Sequence, residues 1–210
     1  MSIYEPGRRV AIIAGVRTPF AKAGTTLKAL SAIELGKIAV TELVHRTDLD
    51  PASLELLTFG TVIPSVLAPN IAREVSLMPL LPKRVDAWSV SRACASANQA
   101  ITDAADQIAL GHVQIAIAGG AESLSNVPIL HSRGFSDAIA EPTTGESMGQ
   151  SAEKMAKLNG ITREEQDALA FASHRNAHAG TVDGRLTAEI APVMLPPKYD
   201  SAMTGDNGIR

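Results

Sequence analysis

Residues Val85-Asp86-Ala87-Trp88-Ser89-Val90 lead through Ser91-Arg92-Ala93-Cys94 into Ala95-Ser96-Ala97-Asn98-Gln99-Ala100-Ile101. The first six residues read as a strand. A helix opens at Cys94 and runs to about Leu110, with Ala97, Ile101, Ala105 and Ile108 as its apolar stripe, and Gly111 stops it. Val113 to Ala118 is the next strand and ends in Gly119-Gly120. Strand, helix and strand in that order, with strands that are continuously apolar, form a βαβ unit of a mainly parallel sheet covered on both faces.

The same alternation extends outward. Val10 to Val16 reads as a strand, and a loop runs from Arg17-Thr18-Pro19-Phe20 to Gly24-Thr25-Thr26. A helix is expected from Ser31 to Arg46, with Ser31 and Glu34 at capping-box spacing and Ile33, Gly36, Val40 and Val44 on one face. Leu56 to Ile63 is a further strand, and Asn70 to Met78 a short helix with Ile71 and Val75 inward. After Ser125 the pattern changes. Residues 126 to 147 hold Pro128, Gly134, Pro142 and Gly145 and few periodic apolar positions, which marks a loop excursion. Helices follow from Met148 to Leu158 and from Thr162 to about Ala179, the second with Ala168, Phe171 and Ala172 inward. Leu186 to Leu195 is a weak strand candidate. Asp206-Asn207-Gly208 is a hairpin-type signal, with Ile209-Arg210 starting a returning strand, so the sequence reads as if it stops inside a structural unit.

Composition excludes several classes. The chain has 210 residues, a net charge of −3 and 3% aromatic residues, so it lacks the basic footprint and the stacking platforms of a nucleic-acid binder. Its single Cys excludes an internal disulfide and a Cys-rich zinc site, and fits a reducing, cytoplasmic setting. The N-terminus has no apolar signal-peptide core, and no apolar run reaches the length of a membrane span.

Cys94 is the main candidate for chemistry. A thiol at a helix N-terminus feels the positive end of the dipole and free backbone N–H groups, which favour the thiolate and could hold an oxyanion. Small neighbours Ala93, Ala95, Ser96 and Ala97 would admit a thioester. The bland alternative is a buried Cys acting as a small hydrophobe. His174 and His178 are an i,i+4 pair without the glutamate of a zinc motif, and read as a solvated helix face. Gly119-Gly120 could approach a ligand or simply make a tight turn. No metal site and no phosphate-binding glycine loop is expected.

Seven stretches together resemble the N-terminal half of the thiolase family. They are Arg17-Thr18-Pro19-Phe20, Phe59-Gly60-Thr61-Val62, Ala68-Pro69-Asn70-Ile71-Ala72-Arg73, Val90-Ser91-Arg92-Ala93-Cys94-Ala95-Ser96, Ala118-Gly119-Gly120-Ala121-Glu122-Ser123, Met148-Gly149-Gln150-Ser151-Ala152-Glu153 and Gly160-Ile161-Thr162-Arg163-Glu164-Glu165-Gln166-Asp167. The wording around Cys94 is most similar to the β-subunit type of fatty-acid oxidation thiolases.

The resemblance implies an α/β fold whose N-terminal half is a five-stranded, mainly parallel sheet covered by helices. It divides the chain into a core over 1–126, a loop domain that holds the coenzyme A arm over 127–197, and a return toward the core over 198–210. It implies cleavage of a 3-ketoacyl-CoA by CoA into acetyl-CoA and a shortened acyl-CoA, or the reverse condensation, with Cys94 carrying the acyl group as a thioester. Ser147 and Met148 would meet the pantetheine, and Gly119 and Gly120 would pack near the site. CoA is a substrate, and no cofactor is implied. Homodimers or homotetramers are implied, and the β-subunit likeness adds a hydratase/dehydrogenase α subunit, although the short 126–147 excursion argues against that partner. The family's second half, with the His that activates the nucleophile and a second Cys, has no counterpart here, so the chain alone is expected to be an incomplete enzyme. Ser147 also stands where many members carry His. A ketosynthase-like condensing enzyme and a non-catalytic interaction module are the alternatives.

Overall fold

A computed structural model describes residues 9–127 and 143–209. Its centre is a three-stranded parallel sheet in the order β2-β1-β3, where β1 is Leu56–Gly60, β2 is Asp86–Val90 and β3 is Ala116–Gly120. The register sets Gly60 beside Val90 on one side and Gly120 on the other. All three strands therefore end level at one edge, and the loops leaving them share that edge. The parallel α/β arrangement matches the expectation, with three strands in this sheet among the described residues where the resemblance implies five.

Helices cover both faces. Helix α1 (Ala32–Arg46) starts at Ser31, whose Oγ accepts the Glu34 N–H at 3.2 Å while Glu34 accepts the Ser31 N–H at 2.7 Å. Gly36, Val40 and Val44 are its buried positions. Helix α2 (Ile71–Ser76) is capped by Asn70 and buries Ile71 and Val75 as expected. Both pack with Leu57 and Phe59, the outward residues of one sheet face. The alternate residues Thr58 and Gly60 face helix α3 (Ser96–Ala109), and Thr58 Oγ1 donates to the Ala100 carbonyl at 2.9 Å.

The stripe expected on α3 is displaced by one position. Ser96, Ala100 and Ala104 are buried, whereas Ile101 is 40% exposed. The helix lies so close to the sheet that only small side chains fit between them, and the larger isoleucine turns outward. Its start also shifts: Cys94 precedes the first helical residue by two positions.

The expected strand over 10–16 does not form. This stretch is extended, Ile12 and Ile13 are each 84% exposed, and no described strand lies beside it to take its ladder hydrogen bonds. The strand expected over 113–118 forms two to three residues later and includes both glycines. The Leu186–Leu195 candidate is also corrected. Gly184 (φ +84°) ends one helix and caps a short new one, α6 (Arg185–Glu189), and only Val193–Met194 is strand β4, antiparallel to β5 (Ala202–Met203). Val193 and Met203 pack against Leu27 and Leu30 in a second small core.

Helix α4 (Met148–Leu158) forms over the expected range and α5 (Arg163–Val182) runs three residues past it, each with a capping box, Ser147 with Gln150 and Thr162 with Glu165. Their burial differs from expectation: Ala168 and Phe171 are exposed, and Gly180 is the sole buried residue of α5. The hairpin signal at Asp206-Asn207-Gly208 makes no hairpin among the described residues, because the Asp206 and Asn207 side chains bind the Arg17–Thr25 loop instead.

Candidate active site

The C-terminal edge of a parallel sheet is where ligands bind in open α/β folds, and Cys94 stands there, on the loop leaving β2. It is exposed, so it is not the buried small hydrophobe of the alternative reading. Among the described residues, none hydrogen-bonds to its sulfur.

The loop is shaped by its neighbours. Ala93 has φ +47°, a left-handed conformation that strains a residue with a Cβ by roughly 1 kcal/mol. Ser96 braces that turn. Its Oγ donates to the Ala93 carbonyl at 2.6 Å and accepts the Arg92 N–H at 2.8 Å, and the residue is 3% exposed. Ala95 and Ser96 N–H groups close the turn on the Arg92 and Ala93 carbonyls. Arg92 is held to Gln99 at 2.7 Å, and Gln99 to Asp103 at 2.6 Å. Cys94 is thus presented on a tightly braced corner just before the α3 N-terminus, where the Ser96 N–H is already taken by the Ala93 carbonyl and the Ala97 nitrogen lies against Gly60. That arrangement suits an exposed, well-placed nucleophile. Sequence reasoning saw Ser96 only as a small neighbour; its bracing role depends on the turn.

The glycines set the height of this corner. A Cβ on Gly60 would stand 2.3 Å from the Ser96 carbonyl carbon and 2.5 Å from the Ala97 nitrogen. One on Gly120 would stand 2.7 Å from the Gly60 oxygen and 3.1 Å from the Ala97 Cβ. Gly119 differs: its Cβ would meet Phe59 at an ordinary 3.6 Å. Of the two glycines singled out from sequence, Gly120 is the one pressed against the helix start. Gly60 is under still greater constraint, and its signal was a glycine inside an otherwise apolar strand.

Glu122 ties the neighbouring loop to the same edge. Its carboxylate accepts the Val62 N–H at 2.7 Å and faces Thr61 Oγ1 at 3.4 Å. A cleft of about 370 Å³ opens between the Arg17–Ala23 loop and the Gly120–Ser125 exit of β3. Ser125 and Ser123 join these walls, through bonds from the Gly24 N–H to Ser125 Oγ and from Ser123 Oγ to the Leu30 carbonyl.

Ser147 is the N-cap of α4, its Oγ accepting the Gln150 N–H, and Met148 beside it is 73% exposed. The hydrogen bonds of this turn are internal to it, between Ser147 and Gln150. His174 and His178 lie on α5, and no group of three or more His, Cys, Asp or Glu residues is arranged to hold a metal ion among the described residues. His131 lies outside the described residues.

Arg17, in the wall of the cleft, has its charge stabilised by acidic neighbours. The bond to Asp206 raises its pKa; partial burial opposes this and Glu189 adds to it. Burial pushes the Asp206 carboxyl up, but bonds from Arg17 and from the Phe20 N–H outweigh that and hold it below the ordinary carboxylate range.

Comparison with known proteins adds the lineage. The family profile described as "Thiolase, N-terminal domain" matches residues 10–210. The 3-ketoacyl-CoA thiolase of Aeromonas salmonicida (strain A449) is 42% identical, over 97% of this chain and 54% of the relative. That of Serratia proteamaculans (strain 568) is 43% identical, over 99% of this chain and 55% of the relative. The crystal structure of the Bacillus anthracis acetyl-CoA acetyltransferase has a TM-score of 0.86 at 28% identity, covering 93% of this chain and 53% of that one. The chain spans about half the length of the relatives it matches.

Proposed function

Because the chain belongs to the thiolase family, we propose that the protein is an acyl-CoA acyltransferase that cleaves 3-ketoacyl-CoA with CoA, or runs the reverse condensation. The observation that carries this is the exposed Cys94 on a strained, braced corner between a parallel strand and a long helix. In the cleavage direction the Cys94 thiolate forms a bond to the 3-keto carbon. The C2–C3 bond then breaks, its electron pair stays on C2, and a proton completes acetyl-CoA. The acyl group remains on Cys94 as a thioester. The sulfur of CoA, having given up its proton, attacks that thioester, and Cys94 leaves as thiolate.

The proton that C2 receives needs a donor, and among the described residues none is hydrogen-bonded to Cys94. By the family likeness, the whole protein supplies that donor from the family's second half. Residues 127–197 act as the loop domain, with the Ser147–Met148 turn meeting the pantetheine. The whole protein assembles as a homodimer or homotetramer. Among the described residues no helix is long and apolar enough to cross a membrane, which is compatible with a cytoplasmic enzyme.

Intact mass after exposure to an acyl-CoA tests the nucleophile. Wild type is expected to gain one acyl group, and Cys94→Ala none, with unchanged unfolding midpoint because an exposed sulfur is removed. A gain that persists in Cys94→Ala overturns the assignment. No gain in either chain means that the thiolate is generated only with groups outside this chain.

A further inference from the structure

Arg17 joins three segments that are far apart in sequence. Its backbone N–H donates to the Glu189 carbonyl at 2.9 Å, and its carbonyl accepts the Ala191 N–H at 2.7 Å. Its guanidinium donates through Nε to Glu189 Oε1 at 2.6 Å and bidentately to Asp206, at 2.8 and 2.9 Å. It also lies 4.5 Å above the Phe20 ring. The Asp206-Asn207 pair then grips the loop after Arg17. Asp206 accepts the Phe20 N–H at 2.7 Å, Asn207 Oδ1 accepts the Lys22 N–H at 2.8 Å, and Asn207 Nδ2 donates to Thr25 Oγ1 at 3.0 Å. Arg46 of α1 secures the same stretch through the Ala188 and Ile190 carbonyls, at 2.7 and 2.6 Å.

This cluster matters because of how little else holds the helices before it. Helix α4 has no buried residue and α5 has only Gly180. The apolar contacts that usually lock a helix layer onto a sheet are therefore nearly absent there among the described residues, and the anchor is the 188–193 stretch, where the directional bonds stand beside the buried Ile190, Ala191 and Val193. A planar fork suits that task, since it fixes two carboxylates and a backbone at defined angles, which a lysine cannot do.

We infer that Arg17 is a positioning residue that pins the Thr18–Thr25 loop, the Glu189–Ala191 stretch and the Asp206-Asn207 turn at one point. It thereby sets the place of α4–α6, and of the Ser147–Met148 turn, relative to the sheet edge bearing Cys94. The consequence for CoA rests on the function proposed above; the pinning does not.

Hydrogen exchange on the full 210-residue chain tests the pin. Arg17→Gln speeds exchange by about tenfold or more in 18–25, 188–193 and 201–207 together, and leaves 56–60 unchanged. Arg17→Lys falls between. Asp206→Asn, which spares the Glu189 bond, loosens 18–25 and 201–207 but not 188–193, and serves where Arg17→Gln fails to fold. Wild-type exchange at 188–193 in Arg17→Gln, or at 18–25 in Asp206→Asn, overturns the inference. The positioning role is read from the rate of Cys94 acylation against acyl-CoA concentration. Arg17→Gln raises the half-saturating concentration about tenfold with an unchanged plateau, a cost of about 1.4 kcal/mol in binding, and Arg17→Lys recovers part of it. A lower plateau at unchanged half-saturation overturns that role. A wild-type chain that is not acylated counts against the proposed function of this chain alone, and the exchange result still decides the pin.

Discussion

The sheet unit of residues 31–127 and the helical stretch of 143–189 are written with the same local signals and end in opposite packing. Helices α1, α4 and α5 each begin at a Ser or Thr whose side chain and a Glu or Gln three residues on cap each other. Helix α1 then buries Gly36, Val40 and Val44 against α2 and the sheet, while α4 and α5 leave Met148, Met155, Leu158, Leu169 and Phe171 exposed. A capping box satisfies orphan N–H groups and so starts a helix wherever it occurs. Burial needs a facing surface as well, which the capping box does not encode. The sheet supplies that surface to α1 and α3; nothing among the described residues supplies it to most of α5.

Substitutions can test this contrast, beginning with the largest expected effect. Gly60→Ala drives a Cβ into the backbone of Ser96 and Ala97, and is expected to cost about 3 kcal/mol, with the Cys94 corner displaced as well. Gly119→Ala, at the same end of the sheet in β3 but facing Phe59 at 3.6 Å, is expected to cost less than about 1 kcal/mol. Urea unfolding of both variants checks the pair, and equal losses would mean that the helix does not sit as low on Gly60 as described.

Next is the contrast between layers. Leu57→Ala removes a fully buried side chain and is expected to cost about 3 kcal/mol. Phe171→Ala removes a larger side chain that is 68% exposed, and is expected to stay within about 0.5 kcal/mol. Calorimetric midpoints measure both, and a large loss for Phe171→Ala would show that α5 is covered in solution.

The smallest effect concerns the caps. Ser31→Ala and Ser147→Ala each remove one capping hydroxyl, a loss of about 1 kcal/mol of local helix stability. The first should lower global stability, because α1 is part of the core, whereas the second should appear as faster hydrogen exchange at the start of α4 with an unchanged global midpoint. If Ser147→Ala lowers the midpoint as much as Ser31→Ala, the two regions unfold as one.

Much of the architecture was legible in residue order. Continuous apolar strands alternating with helices announced the parallel sheet, and Ser31, Asn70, Met148 and Thr162 marked helix starts to within a residue. Cys94 was legible as a corner residue between strand and helix. What escaped was relational. The α3 stripe was read by size, placing Ile101 inward, but Gly60 and Gly120 lower the helix until only Ser96, Ala100 and Ala104 fit beneath it. Val10 to Val16 has the composition of a strand and lacks a strand to pair with among the described residues. Asp206-Asn207-Gly208 has turn chemistry, yet two of its side chains serve a loop about 180 residues away.

Residue order alone was enough for the helix starts, the apolar strands, the thiol at a strand–helix corner and the family likeness, because each depends on neighbours within a few positions along the chain. The height of α3 on the sheet, the bracing of Ala93 by Ser96, the different duties of Gly119 and Gly120 and the meeting of Arg17 with Glu189 and Asp206 came from the folded chain. Those contacts arise between surfaces whose spacing is set by packing, and the same side chain can cap, brace or pin depending on which backbone is brought within hydrogen-bond reach.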